Sequence, residues 1–490
     1  MKNYIHINKN DSVAVAVKDL KKDLYIKEFD LKLNEDIKKG HKFAITDILK
    51  NDDIIKYNMP IGHAIRDIKK GDWVHTHNTK TNLKDVIDYE YKEIEIEEKK
   101  AKDKKFFEGF LREDGKAGIR NDIWIIPTVG CINKLCSNFQ KLAQKKYPDQ
   151  VFKAIEHNKG CSQLGDDLEN TQKILAGIVN NPNAAGILIL ALGCENNQLD
   201  EFKKFLDPIN NDRIKFLKVQ EVKDEVSEAI LLIDQLKEYA DTFERQKLPI
   251  SKLTIGFKCG GSDGFSGITA NPVCGYTSDK LVSYEANTML TEVPEMFGAE
   301  KILLKRAKTK KIYEDMINMI NNFKQYFKSY GQTIYENPSP GNKDGGITTL
   351  EDKSLGCIQK GGNSPISGVL EFGQTPKTPG LYLLNGPGND QVSSTNLVAS
   401  GCNIIVFTTG RGNPFGSIVP TIKVSSNNEL YNKKRNWIDL NAGEILEESN
   451  MDLKSDDLLN LIVEVANGSL TKNEINGFEE ISIFKNGVIL

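Results

Sequence analysis

Leu253-Thr-Ile-Gly-Phe257 runs directly into Lys258-Cys-Gly-Gly-Ser-Asp-Gly-Phe-Ser-Gly267, and this join of an apolar run to a glycine loop decides the fold. The apolar run predicts a buried β-strand. The glycines let the backbone approach a ligand closely and turn N–H groups towards an anion. Cys259, Ser262 and Asp263 add a thiol, a hydroxyl and a carboxylate. The alternative is a plain tight turn between a strand and a helix, which needs fewer glycines.

Length and composition indicate a soluble protein of several domains. The chain has 490 residues, of which 39% are hydrophobic and 27% charged, and its net charge is −3 at pH 7. This length predicts about two to four domains. The charge, with no basic stripe, argues against nucleic-acid binding. Because we find neither a signal-peptide pattern nor an apolar run of membrane-spanning length, we expect a cytoplasmic protein with no membrane partner.

The cysteines are predicted to be reduced. The chain has 8 Cys but no Cys-x-x-Cys pair, and their spacing does not resemble a compact disulfide framework. We therefore expect free thiols that serve as core residues or as metal ligands.

The hydrophobic pattern divides the chain into four parts. Residues 1–80 carry short β-type runs between turn signals, which predicts a small all-β domain. Residues 81–105 form a mixed-charge run, which is typical of a solvated linker. Residues 106–248 and 249–490 alternate apolar runs with amphipathic stretches. They predict two Rossmann-like α/β regions, each built on a parallel sheet.

Four predicted strands of the α/β regions are followed by a cysteine. These are Cys131, Cys161, Cys194 and Cys259, after the apolar runs at 123–129, 151–156, 186–192 and 253–257. Ligands of open α/β sheets bind outside the carboxyl ends of the strands. A single such cysteine is readily a small buried hydrophobe, but the four together favour a shared polar site.

Two ionisable residues in these loops are candidate acids or bases. His157 shares a loop with Cys161, and Glu195 directly follows Cys194. His157 suits a base or a metal ligand, with a histidine satisfied by local backbone as the equal alternative. Glu195 lies at a predicted helix start, where a carboxylate also interacts favourably with the helix dipole.

Histidines of the N-terminal part are candidate metal ligands. His75 and His77 in His75-Thr-His-Asn78 are two residues apart, so on a strand their imidazoles share one side. This arrangement can hold zinc or iron. A solvent-facing pair at a strand end is the alternative.

Arginine and asparagine side chains supply candidate substrate contacts. Arg411 and Asn413 lie in Thr408-Thr-Gly-Arg-Gly-Asn-Pro-Phe-Gly416, and Arg120 lies in Gly118-Ile-Arg-Asn121. A guanidinium among glycines suits bidentate capture of a carboxylate. A surface salt bridge is the alternative for each arginine. The sequence contains no Walker loop and no intact G-x-G-x-x-G after a strand, so nucleotide binding has little support.

The chain resembles the altronate/galactarate dehydratase family over nearly its whole length. Ile61-Gly-His-Ala-Ile-Arg-Asp-Ile68 and Gly71-Asp-Trp-Val-His-Thr-His-Asn78 resemble the β-clip (SAF) domain of that family. Leu192-Gly-Cys-Glu195, the segment from Cys259 to Pro272 and Leu355-Gly-Cys357 resemble its catalytic signatures. The resemblance implies dehydration of an aldonate or aldarate to a 2-keto-3-deoxy acid with a divalent metal, most often Fe2+, or Mn2+. The one-chain length is most similar to altronate dehydratases, and a homodimer is expected.

The resemblance gives each candidate residue a hypothetical role. Gly260, Gly261, Ser262 and Asp263 would hold the substrate carboxylate together with Arg411 and Asn413. Some of His75, His77, Cys161 and Cys194 would bind the ion, and His157, Glu195 and Arg120 would be catalytic.

Three other functions remain open at this stage: galactarate or another aldarate as the substrate, sulfolactate sulfo-lyase activity, and non-catalytic sensing of a sugar acid. Two departures from the family pattern leave the exact substrate undecided. They are His157-Asn-Lys-Gly-Cys161, where glycines usually precede the cysteine, and Ser283-Tyr-Glu-Ala286.

Overall fold

The structure is a computed structural model that describes residues 3–83, 91, 100–206, 208–447 and 450–490. Most of the predicted linker, residues 84–90 and 92–99, lies outside the described residues. Within the described ranges, no helix is long and apolar enough to cross a membrane.

The N-terminal part is all-β, as its short apolar runs predict. Val13-Ala-Val-Ala16 is buried along its whole length and lies inside a four-stranded antiparallel sheet of order β1-β2-β5-β8. Smaller sheets pair β3 with β4 and place β7 between β6 and β9. The strands are β1 (Tyr4–Ile5), β2 (Val13–Ala16), β3 (Tyr25–Ile26), β4 (Leu31–Lys32), β5 (Lys42–Ala44), β6 (Asp53–Lys56), β7 (Met59–Ala64), β8 (Trp73–Val74) and β9 (Thr79–Lys80).

Segments that precede and follow the first α/β region in the chain pair into an antiparallel three-stranded sheet of order β11-β10-β16. Its strands are β10 (Phe106–Leu111), β11 (Ala117–Gly118) and β16 (Arg245–Pro249). Polar and charged residues of β16 had suggested a break in the chain at this point. Backbone pairing with β10 makes the segment a strand even though only Leu248 of β16 is buried.

The first α/β region is a parallel sheet of order β13-β12-β14-β15. The predicted apolar runs become its strands, and every residue of β12 and β14 is buried. The strands are β12 (Asp122–Pro127), β13 (Phe152–Ala154), β14 (Ala184–Ala191) and β15 (Ile214–Lys218). The helices are α1 (Asn133–Lys146), α2 (Asp166–Val179), α3 (Leu199–Lys203) and α4 (Glu225–Ala240).

The second α/β region is a seven-stranded parallel sheet of order β19-β20-β18-β17-β21-β22-β23. Its strands are β17 (Thr254–Cys259), β18 (Asn287–Leu290), β19 (Ile366–Leu370), β20 (Gly380–Leu384), β21 (Ile404–Thr409), β22 (Thr421–Ser425) and β23 (Leu440–Asn441). Its helices are α5 (Ala270–Ser283), α6 (Glu300–Leu304), α7 (Lys310–Ser329), α8 (Pro340–Asp344), α9 (Leu350–Cys357), α10 (Asp390–Ala399), α11 (Asn428–Lys433), α12 (Met451–Ala466) and α13 (Lys472–Asn476). The fold class expected from the sequence is thereby confirmed.

The hydrophobic pattern of residues 300–330 predicts one long helix, but the structure forms two, α6 and α7. Thr309 caps the start of α7 by accepting a hydrogen bond from the Ile312 N–H, and Ala307 forms an isolated parallel bridge with Ile366 of β19. The hydrophobic period alone does not reveal these two contacts, which interrupt the helix.

The N-terminal domain is joined to α9 by buried charges. Lys42 of β5 and Lys56 of β6 place their Nζ atoms 2.8 and 2.9 Å from the two carboxylate oxygens of Asp352. All three side chains are buried. Because Asp352 belongs to a helix of the second α/β region, this contact holds the small N-terminal domain against that region.

Candidate active site

Two thiols and a carboxylate meet at the carboxyl end of the second sheet. Cys259 ends β17, Cys357 ends α9, and Glu295 follows β18. The Glu295 Oε2 atom is 3.2 Å from the Cys259 Sγ and 2.9 Å from the Cys357 Sγ, and the two sulfurs are 3.5 Å apart. Among the described residues, this is the one group of three Cys, His, Asp or Glu side chains whose ligand atoms all lie within 4.8 Å of one another.

Buried lysines surround the two thiols. The Lys360 ammonium donates to the Cys259 Sγ at 2.9 Å and also pairs with Glu292 at 3.0 Å. Lys353 pairs with Glu295 at 2.7 Å. Lys258 pairs with Glu292 at 2.6 Å and with the Asp390 carboxylate at 2.8 Å. The three cations thus face three carboxylates in a site that is largely closed to water, which strengthens each interaction.

These charges set the protonation states of the cluster. Burial would raise the pKa of the Glu295 carboxyl, but Lys353 and Lys360 lower that pKa to about 2. The hydrogen bond to Cys259, together with burial, raises the pKa of the Cys357 thiol. The pKa values of Lys353 and Lys360 are raised by the neighbouring acids and thiols in spite of burial. The lysines therefore stay charged, and Glu295 stays ionised, across the physiological pH range.

A cavity of about 390 Å³ opens beside the cluster. One wall is aromatic, while the rest carries amides, hydroxyls and charges. The lining includes Phe323, Tyr326, Phe327 and Phe484, then Ser262, Asn337, Ser339, Asn342 and Asn389, with Cys259, Glu295, Lys353 and Asp390 on the charged side. This size and this mixture are typical of sites for small polar molecules.

Glu292 has a strained backbone next to the cavity. Its φ of 71° is left-handed, a region that glutamate rarely adopts. Its carboxylate accepts the Cys259 N–H and pairs with Lys258 and Lys360. The buried ion pairs hold this conformation, and such strain is concentrated at functional sites.

The predicted substrate residues divide into two groups. Gly260, Gly261 and Ser262 line the cavity. The Asp263 carboxylate instead accepts hydrogen bonds from the Ser266 N–H and the Asn427 amide within its own loop network.

The other two predicted substrate residues lie beside the loop that lines the cavity. Asn413 donates to Asp390 at 2.7 Å, and the Arg411 N–H donates to the Gly261 carbonyl. The exposed Arg411 guanidinium pairs with Asp344 in a neighbouring groove.

The four predicted metal ligands are not assembled around one ion in the structure. The Nε2 of His75 lies 2.9 Å from the Lys343 carbonyl oxygen, its ring stacks on Trp73, and burial lowers its pKa to about 4. His77 is exposed and packs on the same Trp73 ring. Cys161 and Cys194 lie instead at the end of the first sheet, as exposed free thiols.

His157 and Glu195 stabilise loops of the first sheet. The buried His157 ring contacts the Pro127 carbonyl through Nε2 at 2.7 Å and accepts the Lys159 N–H through Nδ1 at 3.1 Å. Burial lowers the pKa of His157 to about 4, so the ring is neutral. The buried Glu195 carboxylate accepts the Leu192 and Gly193 N–H groups.

Arg120 has structural partners. Its guanidinium pairs with Glu474 at 2.8 Å and donates to the backbone carbonyls of Val465 and Ser469, which attaches α13 and the end of α12 to the first region. Its donors are directed into the protein, away from the cavity lining.

Sequence reasoning missed Glu295, Lys353, Lys360 and Asp390. Glu295 follows β18, whose four residues start with a polar Asn287 and were not predicted as a strand. Leu355-Gly-Cys357 was noted, but its position opposite Cys259 follows only from the tertiary fold. The signal available was the alternation of acidic and basic residues around Glu351-Asp-Lys353 and Lys360.

Comparisons with known proteins fit this geometry. The family model described as D-galactarate/Altronate dehydratase, C-terminal, matches residues 250–489, which contain the cluster and the cavity. The second-domain model, D-galactarate dehydratase/Altronate hydrolase, matches residues 109–241, and the Altronate/galactarate dehydratase SAF domain matches residues 2–82. The chain belongs to the altronate/galactarate dehydratase family.

Full-length relatives of this dehydratase family are similar throughout. Altronate dehydratase of Bacillus subtilis (strain 168) is 48% identical over 100% of both chains. Altronate dehydratase of Escherichia coli (strain K12) is 45% identical over 99% of this chain and 100% of its own. Galactarate dehydratase (L-threo-forming) of the same E. coli strain is 32% identical over 95% and 93%. The chain is thus a hydro-lyase that dehydrates a sugar acid.

Proposed function

We propose that this hydro-lyase removes water from D-altronate to give 2-dehydro-3-deoxy-D-gluconate, with the reaction taking place in the cavity beside Cys259, Glu295 and Cys357. The observation that carries the proposal is the meeting of buried thiols, carboxylates and ammonium groups at the wall of a cavity of about 390 Å³. The two altronate dehydratases that match over the full chain support this choice of substrate.

The thiol and carboxylate cluster suits a divalent metal, with Fe2+ as the proposed ion and Mn2+ as the alternative. Two sulfurs and one carboxylate oxygen form a soft to intermediate donor set. The two sulfurs lie 3.5 Å apart as free thiols, and a bound cation would replace their protons. When bound, the metal would supply Lewis acidity towards substrate oxygens.

The carboxylate of the substrate is proposed to lie near Lys353 and the backbone of Gly260–Ser262. Lys353 stays protonated and lines the cavity. Removal of the proton at C2 places negative charge on that carboxylate, and a fixed ammonium with backbone N–H groups stabilises the charge as it develops. The amides of Asn337 and Asn389, which line the cavity, are proposed to bind the sugar hydroxyls.

Asp390 is the proposed base. Its carboxylate is partly exposed, lines the cavity and is oriented by Lys258 and Asn413. It would take the proton from C2 and return it to the hydroxyl that leaves C3. No net proton is consumed, because the hydrogen from C2 and the hydroxyl from C3 leave together as water.

The test of the proposed function is a substrate panel. The purified chain is loaded anaerobically with Fe2+ and offered D-altronate, other hexonates, galactarate and sulfolactate, and keto acid is detected with semicarbazide. Rapid turnover of D-altronate with slow turnover of the others is expected. Preference for galactarate, or release of sulfite from sulfolactate, would overturn the assignment and favour the corresponding alternative.

Two further proposals concern the setting of the enzyme. We propose a cytoplasmic location, which cell fractionation would test, and a homodimer, which sedimentation would test. A monomer at micromolar concentration would contradict the dimer.

A further inference from the structure

Three exposed thiols lie at the carboxyl end of the first sheet, outside the cavity lining described above. Cys131, Cys161 and Cys194 follow β12, β13 and β14, three neighbouring parallel strands. Each cysteine directly follows a glycine. The other five cysteines are buried. Cysteine is among the residue types most often buried, so three exposed thiols at one sheet edge require an explanation.

Backbone hydrogen bonds connect the three loops. The Gly130 N–H donates to the Lys159 carbonyl at 2.9 Å, which joins the Cys131 and Cys161 loops. The Asn197 N–H donates to the Gly160 carbonyl at 2.9 Å, which joins the Cys161 and Cys194 loops. The cysteines therefore sit one to three residues from these connections, on a single packed surface.

Close packing leaves no room for a side chain at the residue that precedes Cys131 or Cys161, so glycine is required there. Gly160 has a φ of 98°, and a Cβ there would lie 2.0 Å from the Thr128 carbonyl oxygen at the end of β12. A Cβ at Gly130 would lie 2.6 Å from the His157 carbonyl oxygen. The loops can lie this close only with glycine at these positions.

Buried polar side chains hold the loops but leave the thiols without strong partners. His157 and Glu195 are committed to backbone groups of these loops. The Cys161 sulfur has a contact of 3.9 Å with the Ser162 hydroxyl, and the Cys194 sulfur has one of 3.8 Å with the Gln220 amide. The loops are thus pre-organised around thiols that remain available to a ligand.

The spacing distinguishes between ligands. Ligands of one tetrahedral ion share a single centre about 2.3 Å from each sulfur, so their sulfurs lie close together. Among the described residues, these thiols do not form a group with all ligand atoms within 4.8 Å. In an iron–sulfur cluster each thiolate binds a different iron, so the thiolates are farther apart. Three thiolates also leave one iron of a four-iron cluster without a protein ligand.

We propose that Cys131, Cys161 and Cys194 bind a 4Fe–4S cluster whose fourth iron is open to a non-protein oxygen ligand. On binding, each thiol loses its proton to solvent and its sulfur bonds to one iron. This site is separate from the cluster of Cys259, Glu295 and Cys357, and the proposal does not depend on the identity of the sugar acid.

The segment 484–490 connects this site with the cavity. Phe484 lines the cavity, and the Leu490 N–H donates to the Ser162 carbonyl beside Cys161. Between them, the Asn486 and Gly487 N–H groups both donate to the Asp167 carboxylate. Six peptide steps span at most about 22 Å, so this segment links the loop of Cys161 to the cavity lining over no more than that distance.

The test is anaerobic reconstitution of the full chain with equal amounts of ferrous and ferric iron and with sulfide, the proportions of a resting cluster. Iron, acid-labile sulfide and visible charge-transfer absorption are then measured after desalting. We expect wild type to retain iron and sulfide, and C131S, C161S and C194S each to retain more than about tenfold less sulfide. The matched control is C402S, a buried thiol that contacts Met289.

Two further measurements make the test decisive. C357S, which alters the other cluster, is expected to keep the full sulfide content, and thermal melting of each variant without iron checks that the fold is retained. Absence of sulfide in wild type, sulfide unaffected by the three substitutions, or a single metal ion bound without sulfide would each overturn the proposal.

Discussion

The two parallel sheets present cysteines at their carboxyl ends in opposite ways. In the second sheet, Cys259 and Cys357 are buried, 3.5 Å apart, and surrounded by lysines and carboxylates. In the first sheet, Cys131, Cys161 and Cys194 are exposed on glycine loops, where the buried His157 and Glu195 side chains bind backbone groups of the loops.

The two sites differ in the groups that would balance the charge of a bound ligand. The second site carries its own cations, so its charge state is set before any ligand binds, and the site suits chemistry on a charged substrate. Among the described residues, the thiols of the first site have no ammonium or carboxylate partner within hydrogen-bond distance, and their sulfurs contact the Ser162 hydroxyl and the Gln220 amide, which suits the proposed cofactor. The same position at a strand end therefore supports two kinds of site, and the surrounding side chains determine which one forms.

The largest expected effect comes from removing the charge at the centre of the second site. Glu295→Gln keeps the size of the side chain but leaves the buried Lys353 without its carboxylate partner, while Lys360 keeps Glu292. We expect kcat to fall by about 10²–10³-fold. Steady-state assays of keto acid formation would measure this, with the exposed Glu429→Gln as control. A fall of less than about threefold would show that the lysine-rich cluster is not the reaction centre.

The next prediction tests the buried ion pairs between the N-terminal domain and α9. Asp352→Asn leaves Lys42 and Lys56 buried without an anion, and removal of one partner of a buried ion pair costs about 3–5 kcal/mol. Urea unfolding would measure the loss. Asp344→Asn, which breaks the exposed pair with Arg411, is the control and should unfold like wild type. Equal stability of the two variants would contradict the role given to the buried contact.

The pH dependence of the unfolding free energy tests the buried His157 of the first α/β region. The pKa of His157 is lowered to about 4, while an unfolded histidine has a pKa of about 6.5. Below pH 6.5 the unfolded state binds the extra proton, so the unfolding free energy falls as the pH drops from 6.5 towards 4, by up to about 3 kcal/mol.

Denaturant titrations across this pH range, compared between wild type and His157→Gln, measure the pH contribution of His157. The variant should show a shallower decline of the unfolding free energy with falling pH than wild type. Identical slopes for wild type and His157→Gln would mean that the buried ring is not the group that titrates.

The smallest expected effect concerns Arg411. Its guanidinium is exposed and pairs with Asp344 outside the cavity lining, so Arg411→Ala should change kcat/KM by less than about threefold. Its backbone N–H to the Gly261 carbonyl is retained in the variant. A 100-fold loss of kcat/KM in the same assay, which corresponds to roughly 3 kcal/mol, would indicate that Arg411 binds the substrate carboxylate.

The sequence was sufficient for the fold because buried parallel strands are continuous apolar runs. Residues 123–129 and 186–192 stand out in this way and overlap the strands β12 and β14. Strands with polar residues, such as β16 and β18, depend on pairing partners that a local pattern does not contain.

The sites were only partly predictable for the same reason. Cys161, Cys194 and Gly260–Ser262 could be singled out in the sequence because they lie in loops that follow strands. Glu295 and Lys353 acquire their roles from neighbours that are distant in sequence. His75 looked like a ligand in the sequence, but its partner, the Lys343 carbonyl, lies 268 positions away.

The contact of Asp352 with two lysines of the N-terminal domain ties that domain to the cavity, because the next residue, Lys353, lines the cavity. Moving the N-terminal domain away would break both ion pairs and the hydrogen bond from Lys42 to the Gly346 carbonyl. The small domain therefore holds the start of α9 in position, and with it the ammonium group proposed to bind the substrate carboxylate.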